Sequence, residues 1–396
     1  MAKKTLNHLP TLLKGKKVLV RVDFNVPQDA KGEITNDRRI RLAVPTIQAL
    51  LDKGACVIAM SHLGRPQGDP VKDSIFRMDR VSQILAKHLG VPVFKVNDVA
   101  GKHTSEAVSQ MKPGEVLLLE NLRFEPGEQN GCEFLAARIA KLGDIYVNDA
   151  FGTCHRKDAS MVSVPRIMKG KSRVVGLLVA KELEILDQLL AKPCRPFVAL
   201  LGGGKVSDKI GFIQALQKRV DNILVGGAMS YTFLKAQGKE IGSSRCESDK
   251  LDLARMLLAE GGSRIQLPID HFVVDSLDRP ETVRVVTEIP AGAIGIDIGP
   301  KTIEQYSDVV NRAGTVVWNG PMGKFEDEPY SQGTRAIAGA MATARGITVV
   351  GGGETAEAVE LYGLDVKMKH VSTGGGAFLE YVEGTPFAAL AEIEDQ

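Results

Sequence analysis

The sequence has almost no excess charge of either sign, since 50 Lys and Arg residues are balanced by 48 Asp and Glu residues for a formal net charge of +2. Proteins that bind nucleic acid or an anionic membrane through bulk charge carry a clear basic excess, so neither is expected as a partner. No apolar run approaches the roughly 18 residues of a membrane-spanning helix, and the first residues show no signal-peptide pattern.

Cysteine is scarce and scattered. The five cysteines are odd in number and show neither CxxC nor metal-ligand spacing: Cys56, Cys132, Cys154, Cys194 and Cys246. The pattern therefore indicates neither a disulfide framework nor a zinc site. It is typical of reduced thiols, and we expect a cytoplasmic protein.

Glycine, in contrast, is abundant, with 41 residues in a chain of 396, whereas average usage is roughly 7%. Much of the excess follows four strand-like runs in the second half. These are Phe197–Leu201 before Gly202–Lys205, Asn222–Val225 before Gly226 and Gly227, Gly346–Val350 before Gly351–Gly353, and His370–Thr373 before Gly374–Gly376. A strand, a glycine turn and a helix start form a phosphate site in open α/β sheets, because glycine lets the ligand approach backbone N–H groups.

Strand-like runs alternate with helical patterns throughout the chain. In the first half the runs are Lys17–Val22, Ala55–Met60, Glu115–Leu119 and Asp144–Val147. The second half repeats the scheme with the glycine-ended runs and with His271–Asp275 and Thr315–Trp318. Such alternation is typical of parallel βαβ units. The predicted fold class is α/β, with two doubly wound, Rossmann-like parallel-sheet domains joined by a helical hinge.

The length predicts two domains, because 396 residues exceed what one core usually supports. Val179–Ala191 has a helical apolar spacing and is followed by Pro193 and Pro196, so we interpret it as a helix between domains; a crossover helix inside one domain is the alternative. The predicted division is 1–180, a hinge at 181–196, and 197–384. The segment 385–396, with a helical pattern over Thr385–Ile393, is a candidate to complete the first domain.

Polar side chains follow the strand-like runs of the first half. Arg21, Asp23 and Asn25 alternate onto one side of the chain where the first run ends. The next runs end in Ser61–Pro66, Glu120–Phe124 and Asn148–Arg156, each of which contains an Arg. Guanidinium groups bind phosphate and carboxylate with two parallel hydrogen bonds. The first half therefore predicts a site for a small, multiply anionic metabolite, although Asp and Asn before Pro27 also suit an ordinary turn.

The glycine runs of the second half fit named motifs only in part. The Walker pattern fails at Gly204-Lys205, whereas Gly351–Ala356 matches G-x-G-x-x-A. No acidic residue follows the next run, where a dinucleotide fold places the ribose partner, so NAD is disfavoured and a mononucleotide phosphate site is favoured. Lys205 and Lys209 lie four residues apart at a helix start and suit a polyphosphate, unless Lys209 is merely solvated. Glu326 is a candidate ribose partner or a surface charge.

Five blocks resemble the signature blocks of the phosphoglycerate kinase family. In family order they are Arg21–Pro27, Ser61–Pro66, Gly203–Lys209, Trp318–Pro321 and Ser372–Gly376. They span nearly the whole chain, and the length is similar to that of the bacterial members. The resemblance implies a two-domain kinase that exchanges a phosphoryl group between the acyl phosphate of 1,3-bisphosphoglycerate and MgADP, which yields 3-phosphoglycerate and MgATP.

The resemblance also implies a role for each matching residue. The phosphoglycerate site would consist of Asp23, Asn25, Arg39, His62, Arg65, Arg123 and Arg156. The nucleotide site would consist of Lys209, Gly226, Gly227, Asn319, Pro321, Glu326, Gly351, Gly352, Gly353, Glu354 and Thr355. The transferring phosphoryl group would be stabilised by Arg39, Lys205, Gly375 and Gly376.

Two positions depart from the family pattern. Glu354 stands where the family commonly has an Asp that serves the nucleotide-bound Mg²⁺, and glutamate is an oxygen ligand one methylene longer. Direct contact of Glu354 with the metal and contact through a water are both open. Lys157 and Asp158, after Arg156, change the charge beside the phosphoglycerate site.

The predicted reaction needs no general base, because a carboxylate with a pKa near ~4 is already ionised at pH 7. Positioning and charge stabilisation remain as the tasks of the protein. His62 is accordingly interpreted as a group that positions a phosphate or carboxylate. We expect a monomer. The alternatives are another carboxylate or acyl-phosphate kinase, an NAD-dependent dehydrogenase, and a non-catalytic nucleotide-binding protein.

Overall fold

The chain divides into two compact units in the computed structural model, which describes residues 2–396. Unit 1 contains the residues up to Glu184 together with Pro386–Gln396, and unit 2 contains Ile185–Thr385. No helix among the described residues is both long and apolar enough to cross a membrane. All five cysteines are unpaired.

Unit 1 is built on a six-stranded parallel sheet in the order β3-β4-β2-β1-β5-β6. Its strands are β1 (Lys17–Val22), β2 (Cys56–Met60), β3 (Val93–Lys95), β4 (Val116–Leu118), β5 (Ile145–Asp149) and β6 (Arg173–Val175). The helices are α1 (Arg38–Asp52), α2 (Asp79–Leu89), α3 (Lys102–Gln110), α4 (Glu133–Ala140) and α5 (Val164–Ile167), while α6 (Leu177–Ala191) begins in unit 1 and ends in unit 2. The four runs predicted as strands in the first half are β1, β2, β4 and β5.

The register of β1 places the strand ends of unit 1 side by side. Arg21 is aligned with Met60 of β2 and with Asn148 of β5. On one side of the sheet, valines of β1 pack in a core with Ile40 and Ile47 of α1. Parallel strands in this register end at the same edge, so the polar residues that follow them are neighbours.

Unit 2 contains a second six-stranded parallel sheet and a small separate sheet. The strands are β7 (Phe197–Leu201), β8 (Asn222–Val225), β9 (Ile265–Gln266), β10 (His271–Val274), β11 (Arg284–Val286), β12 (Ile294–Ile298), β13 (Thr315–Asn319), β14 (Ile347–Gly351) and β15 (His370–Val371). The parallel sheet has the order β15-β14-β13-β7-β8-β9. The predicted fold class, with two doubly wound parallel sheets, is confirmed.

The prediction that His271–Asp275 continues the parallel scheme is wrong. This run is β10, the central strand of a three-stranded antiparallel sheet in the order β11-β10-β12. Only residues 275–283 separate β10 from β11. That is too short for a parallel crossover, which needs about a dozen residues or more.

The helices of unit 2 alternate with the strands of its parallel sheet along the chain. They are α7 (Ile210–Gln217), α8 (Met229–Ala236), α9 (Leu251–Gly261), α10 (Pro300–Arg312), α11 (Gln332–Thr343), α12 (Gly353–Leu361) and α13 (Gly376–Glu383). Helices α12 and α13 each begin with the last glycine of a glycine run. Proline at the first position of α10 is favoured, because a first-turn residue needs no N–H for an intrahelical bond.

The last residues of the chain pack against the first ones in unit 1. Lys4 N donates to Glu394 O at 2.8 Å, and Lys3 Nζ forms an ion pair with Asp395 at 2.7 Å. Arg173 at the sheet edge donates to Glu392 O at 2.7 Å. The predicted helix over Thr385–Ile393 is reduced to α14 (Ala388–Ala391).

Candidate active site

The first candidate site lies at the ends of the strands in unit 1. Asp23 follows β1 and is buried, while Arg39 lies in the first turn of α1. Arg39 Nη1 donates to Asp23 Oδ2 at 2.8 Å. Burial acts to raise the pKa of Asp23, but the positive charges of Arg39 and Arg21 and a hydrogen bond from Asn25 N outweigh it and hold that pKa below its usual value. Asp23 is therefore an ionised group that orients Arg39.

Asn25, Gly64 and Arg123 connect the ends of β1, β2 and β4. Gly64 N donates to Asn25 Oδ1 at 2.8 Å, and Arg123 Nη1 donates to Gly64 O at 2.6 Å. Gly64 has φ +62°, and a Cβ there would lie 2.3 Å from the ring of Phe76. Only glycine suits this turn, which brings together two predicted site residues, Asn25 and Arg123, that follow different strands.

His62 is almost completely buried, with 1% of its surface exposed. Burial is the largest cause that lowers its pKa; Arg21, Arg123 and Arg156 add to this, and the opposing attraction of Asp23 does not compensate. The pKa is held well below its ordinary value, so the ring is neutral at pH 7. A neutral imidazole fits the predicted positioning role.

Three arginines, Arg21, Arg123 and Arg156, lie close enough to His62 to act on its pKa. Burial lowers the pKa of Arg123, and repulsion from Arg156, Arg21 and Arg65 lowers it further, while Asp158 acts in the opposite direction. Mutual repulsion of this kind shows that the guanidinium groups lie close to one another. A cluster of arginines beside one buried carboxylate is suited to an anion that carries several negative charges.

The strand-end loops of unit 2 are joined by backbone hydrogen bonds. Gly203 N donates to Pro321 O at 2.8 Å, and Gly227 N donates to Met322 O at 2.7 Å. A Cβ on Gly202 would lie 2.0 Å from Pro321 O, and one on Gly227 would lie 2.5 Å from Gly203 N. These glycines allow the loops after β7, β8 and β13 to contact each other directly.

Lys209 connects the start of α7 to the loops after β13 and β14. Its ammonium donates to Asn319 Oδ1, and Asn319 Nδ2 donates to Gly351 O at 3.0 Å. Burial lowers the pKa of Lys209 to about 8, against the attraction of Glu354 and Asp208. Lys209, Asn319, Gly351 and Glu354 therefore lie in one cluster.

The glycine run after β14 leads into the start of α12. Gly352 has φ +94°, and Thr355 Oγ1 accepts from Gly320 N at 2.7 Å. The first turn of a helix presents N–H groups without intrahelical acceptors and a partial positive charge. Gly351–Thr355 therefore has the form of a helix start that can bind an anion such as phosphate.

The glycine run after β15, Gly374–Gly376, also leads into the start of a helix. Gly375 has φ +43° and precedes the first residue of α13, Gly376. Gly374 N donates to Ser372 Oγ at 3.0 Å, which fixes the turn. No atom lies within 4 Å of the position that a Cβ would take on Gly375 or Gly376. The space beside these two glycines is therefore open.

Besides Glu354, three predicted site residues have exposed side chains: Arg65, Lys205 and Glu326. Within residues 2–396 their side chains make no hydrogen bond or ion pair with another predicted site residue. Their predicted roles therefore depend on contacts with ligands.

Sequence reasoning missed several polar residues that support these sites. Asn121 is buried, and its side chain bonds Leu63 N and Leu63 O. Ser160 and Glu128 bond each other beneath Arg21, and the guanidinium of Arg245 lies beside Gly204. Asn121 lies directly after a strand-like run, which is a usable signal. No motif marks the other residues.

Comparisons with known proteins agree with the geometry. A family model described as phosphoglycerate kinase matches residues 9–385. The chain is 48% identical over 399 residues to phosphoglycerate kinase of Rhodopirellula baltica and 49% identical over 403 residues to that of Dictyoglomus turgidum, with 100% of both chains covered in each case. The solved Coxiella burnetii phosphoglycerate kinase is similar with a TM-score of 0.85 at 39% identity, covering 98% of each chain. The solved phosphoglycerate kinase of Pyrococcus horikoshii OT3 is similar with a TM-score of 0.87 at 31% sequence identity, covering 99% of this chain and 98% of that one.

Proposed function

The chain belongs to the phosphoglycerate kinase family, and we propose that its two units divide the two substrates between them. It is a phosphotransferase with a carboxyl group as acceptor, and it exchanges a phosphoryl group between 1,3-bisphosphoglycerate and ADP to give 3-phosphoglycerate and ATP in glycolysis. The match over residues 9–385 decides against the dehydrogenase and the other carboxylate kinases. In our proposal, unit 1 binds the phosphoglycerate and unit 2 binds the nucleotide.

The arginine cluster of unit 1 is the observation that carries the assignment of the phosphoglycerate site. Phosphoglycerate has a phosphate and a carboxylate, and the cluster offers guanidinium groups, a neutral imidazole and an amide at one sheet edge. The site consists of Asp23, Asn25, Arg39, His62, Arg65, Arg123 and Arg156. Asp23 binds Arg39 and Asn25 binds the Gly64 turn, so these two also set the shape of the site.

The nucleotide site in unit 2 is assigned to the joined strand-end loops. The start of α12 over Gly351–Thr355 binds phosphates through backbone N–H groups, and Lys209 supplies a positive charge. Asn319 and Pro321 shape the loop after β13, with Gly226 and Gly227 beside it. Exposed Glu326 completes the site as a ribose partner.

Magnesium accompanies the nucleotide in this proposal. Mg²⁺ is usually bound by one or two carboxylates together with substrate phosphates. Glu354 fits this description, since it is an exposed carboxylate in the first turn of α12 and close enough to Lys209 to act on its pKa. When bound, the ion neutralises charge on the transferring phosphates.

The residues proposed for the transfer itself act by charge and hydrogen bonding. Arg39 and Lys205 supply positive charge, and the amides of Gly375 and Gly376 supply N–H donors to the phosphoryl group. The acceptor carboxylate is ionised at neutral pH, so no side chain has to remove a proton. The low pKa of His62 supports this, because it makes the ring a weak base that is suited to positioning.

Closure of the two units is part of the proposal, because ligands bound to different units have to meet for transfer. The helix α6 contains the boundary between the units, at Glu184 and Ile185, and is the proposed hinge. Small-angle scattering with neither ligand, each ligand and both ligands tests this. Compaction only with both ligands supports hinge closure, and an unchanged radius of gyration contradicts it.

A coupled assay tests the function directly. The protein is mixed with 3-phosphoglycerate and MgATP, and ADP is measured while the acyl phosphate is continuously removed. We expect ADP release that depends on 3-phosphoglycerate. No ADP above the level seen without 3-phosphoglycerate would overturn the proposal, and nucleotide binding without turnover would favour a non-catalytic protein.

We further propose that the enzyme is a cytoplasmic monomer. The five unpaired cysteines support the cytoplasmic location, since disulfides are rare there. Light scattering across a range of protein concentrations is expected to give the mass of one chain, 42.6 kDa. A mass twice as large would contradict the monomer.

A further inference from the structure

A continuous chain of hydrogen bonds links Glu128, Ser160, Arg21 and His62 inside unit 1. Ser160 Oγ donates to Glu128 Oε1 at 2.5 Å, and Ser160 N donates to Oε2 at 3.0 Å. Arg21 Nε donates to Ser160 Oγ at 2.9 Å, and Arg21 Nη2 lies 3.2 Å from His62 Nδ1. None of the four residues is more than 1% exposed. The chain is therefore shielded from water along its length.

The direction of each bond follows from Arg21, because a guanidinium has five N–H donors and no acceptor. Ser160 Oγ accepts from Arg21, so its own hydrogen is donated to Glu128. His62 Nδ1 likewise accepts from Arg21 and carries no proton. A neutral ring with a bare Nδ1 has its hydrogen on Nε2. The contact with Arg21 thus selects one of the two imidazole tautomers.

We propose that Arg21, Ser160 and Glu128 are positioning residues that hold His62 as its Nε2–H tautomer and so give the phosphoglycerate site a fixed neutral donor. The inference rests on the proposed function, because it takes the ligand to be an anion with acceptor oxygens. An Nε2–H group donates to such an oxygen, whereas the other tautomer would present a lone pair and repel it. The three residues act through His62.

The contacts along the hydrogen-bond chain explain why the Arg21 side chain stays beside His62. Arg21 comes from β1, Glu128 from the segment after β4, and Ser160 from a π-helical turn over Ala159–Ser163. Tyr146 Oη donates to Ser160 O at 2.8 Å and fixes that turn. A buried guanidinium needs compensating negative charge, and the carboxyl groups of Glu128 and Asp23 both lie close enough to Arg21 to interact with it. Rotation of Arg21 would break its contacts with Ser160 and His62.

Nitrogen NMR of the histidine rings in the full-length protein tests the tautomer. The His62 signals are assigned by their loss in His62→Gln. At pH 7 the wild type is expected to show a protonated Nε2 and a bare Nδ1, and the Nε2–H signal is expected to shift when 3-phosphoglycerate is added. A protonated Nδ1, as the other tautomer or as imidazolium, would overturn the proposal without any variant. So would an unchanged signal at saturating 3-phosphoglycerate.

Ser160→Ala removes the hydroxyl that links Arg21 to Glu128 in the hydrogen-bond chain, and Ser163→Ala is its matched control. Ser163 lies in the same π-helical turn, and its hydroxyl donates to Gly131 O at 2.8 Å, outside the chain. Ser160→Ala is expected to give mixed His62 tautomers and a KM for 3-phosphoglycerate raised about tenfold, as for one lost hydrogen bond. Its kcat is expected to stay within about threefold and its KM for MgATP to stay unchanged.

The outcomes separate this proposal from the proposed function. Equal tautomer populations in Ser160→Ala and Ser163→Ala would overturn the positioning chain. If Ser160→Ala lowered kcat and raised the KM values for 3-phosphoglycerate and MgATP by similar factors, Ser160 would have a structural role only. That result would also overturn the positioning chain. An inactive wild type with an Nε2–H tautomer would overturn the function, while the tautomer would still support the hydrogen-bond chain. If Ser160→Ala does not fold, the wild-type tautomer and its response to ligand decide.

Discussion

Arg39 Nη1 lies 2.8 Å from Asp23 Oδ2, and this ion pair joins the first turn of α1 to the end of β1. The pair uses one N–H of a guanidinium that has five. About one third of the Arg39 side chain is exposed, whereas Asp23 is buried. The remaining donors of Arg39 are thus held in a defined orientation and are available to a ligand.

Removing a charge that stabilises the transferring phosphoryl group is expected to lower kcat. Arg39→Ala and Lys205→Ala are each expected to reduce kcat by 10²–10³, about 2.7–4 kcal/mol, while the fold persists. Steady-state kinetics with circular dichroism measures both properties. Arg41→Ala on α1 and Lys218→Ala after α7 are the matched controls and are expected to stay near wild type. An Arg39 or Lys205 variant within threefold of wild type would refute that residue's role.

Nucleotide affinity is expected to weaken as the pH rises through about 8. The pKa of Lys209 is lowered to about 8 by burial, so its ammonium loses the proton above that pH and no longer attracts phosphate. The dissociation constant of ADP, measured by calorimetry between about pH 7 and 9, is expected to increase by up to about tenfold per pH unit above the pKa. Lys209→Arg stays protonated and is expected to remove this dependence. The same dependence in both proteins would rule out Lys209 as its source.

Glu354 is expected to influence the magnesium requirement. Glu354→Ala is expected to raise the Mg²⁺ concentration at half-maximal activity about tenfold, the lower end of the effect of an outer-shell ligand. Glu357→Ala, which removes an exposed carboxylate from the same helix, is the control and is expected to match wild type. Activity is measured against free Mg²⁺ at fixed nucleotide. Identical magnesium curves for the two variants would show that Glu354 does not serve the ion.

Gly202→Ala is expected to disturb the nucleotide loops, because its Cβ would lie 2.0 Å from Pro321 O. Overpacking of this kind typically costs about 1–3 kcal/mol of unfolding free energy. Gly339→Ala is the control, since no atom lies within 4 Å of its Cβ inside α11, and there alanine is expected to stabilise by about 0.5–1 kcal/mol. Guanidinium unfolding and ADP titration measure both effects. Unchanged ADP affinity in Gly202→Ala would show that nucleotide binding does not require close contact between the loops after β7 and β13.

Asp297 is expected to make stability depend on pH. It lies on β12 and accepts from Gly333 N at 2.6 Å, and burial raises its pKa to about 7 in spite of this bond. The folded state therefore retains a proton that the unfolded state releases near pH 3.8. The stabilisation is complete below that pH and is lost as the pH rises to about 7.

The matching measurement compares thermal midpoints of wild type and Asp297→Asn between about pH 4.5 and 7.5. The wild type is expected to lose stability relative to the variant across this interval, because asparagine does not titrate. A difference between the two midpoints that stays constant with pH would show that Asp297 titrates near its ordinary pKa.

Much of the fold could be predicted from the sequence because its strands are short apolar runs that end at glycines or at polar side chains. Phe197–Leu201 and Asn222–Val225 are β7 and β8 with unchanged bounds. The run at His271 looks the same locally, yet it lies in the antiparallel sheet. Its orientation is decided by the partners β11 and β12, which its own residues do not specify.

The candidate site shows the same limit. Asp23, Asn25 and His62 follow strand-like runs, and polar residues there stand out from their apolar neighbours. Glu128 and Ser160 do not, because Arg21 and Ser160 are 139 residues apart and only the fold brings them together. Sequence patterns thus identify the residues that directly follow the strands more readily than those that support them from below.

The return of Pro386–Gln396 to unit 1 also sets an order of events during protein synthesis. The ribosome completes all of Ile185–Thr385 before it makes these residues. The bonds of Lys4 with Glu394 and of Arg173 with Glu392 therefore form only after unit 2 has been translated. Domains generally fold as units with the N-terminal one first, whereas here the nascent chain has the whole of unit 2 before unit 1 receives its last segment.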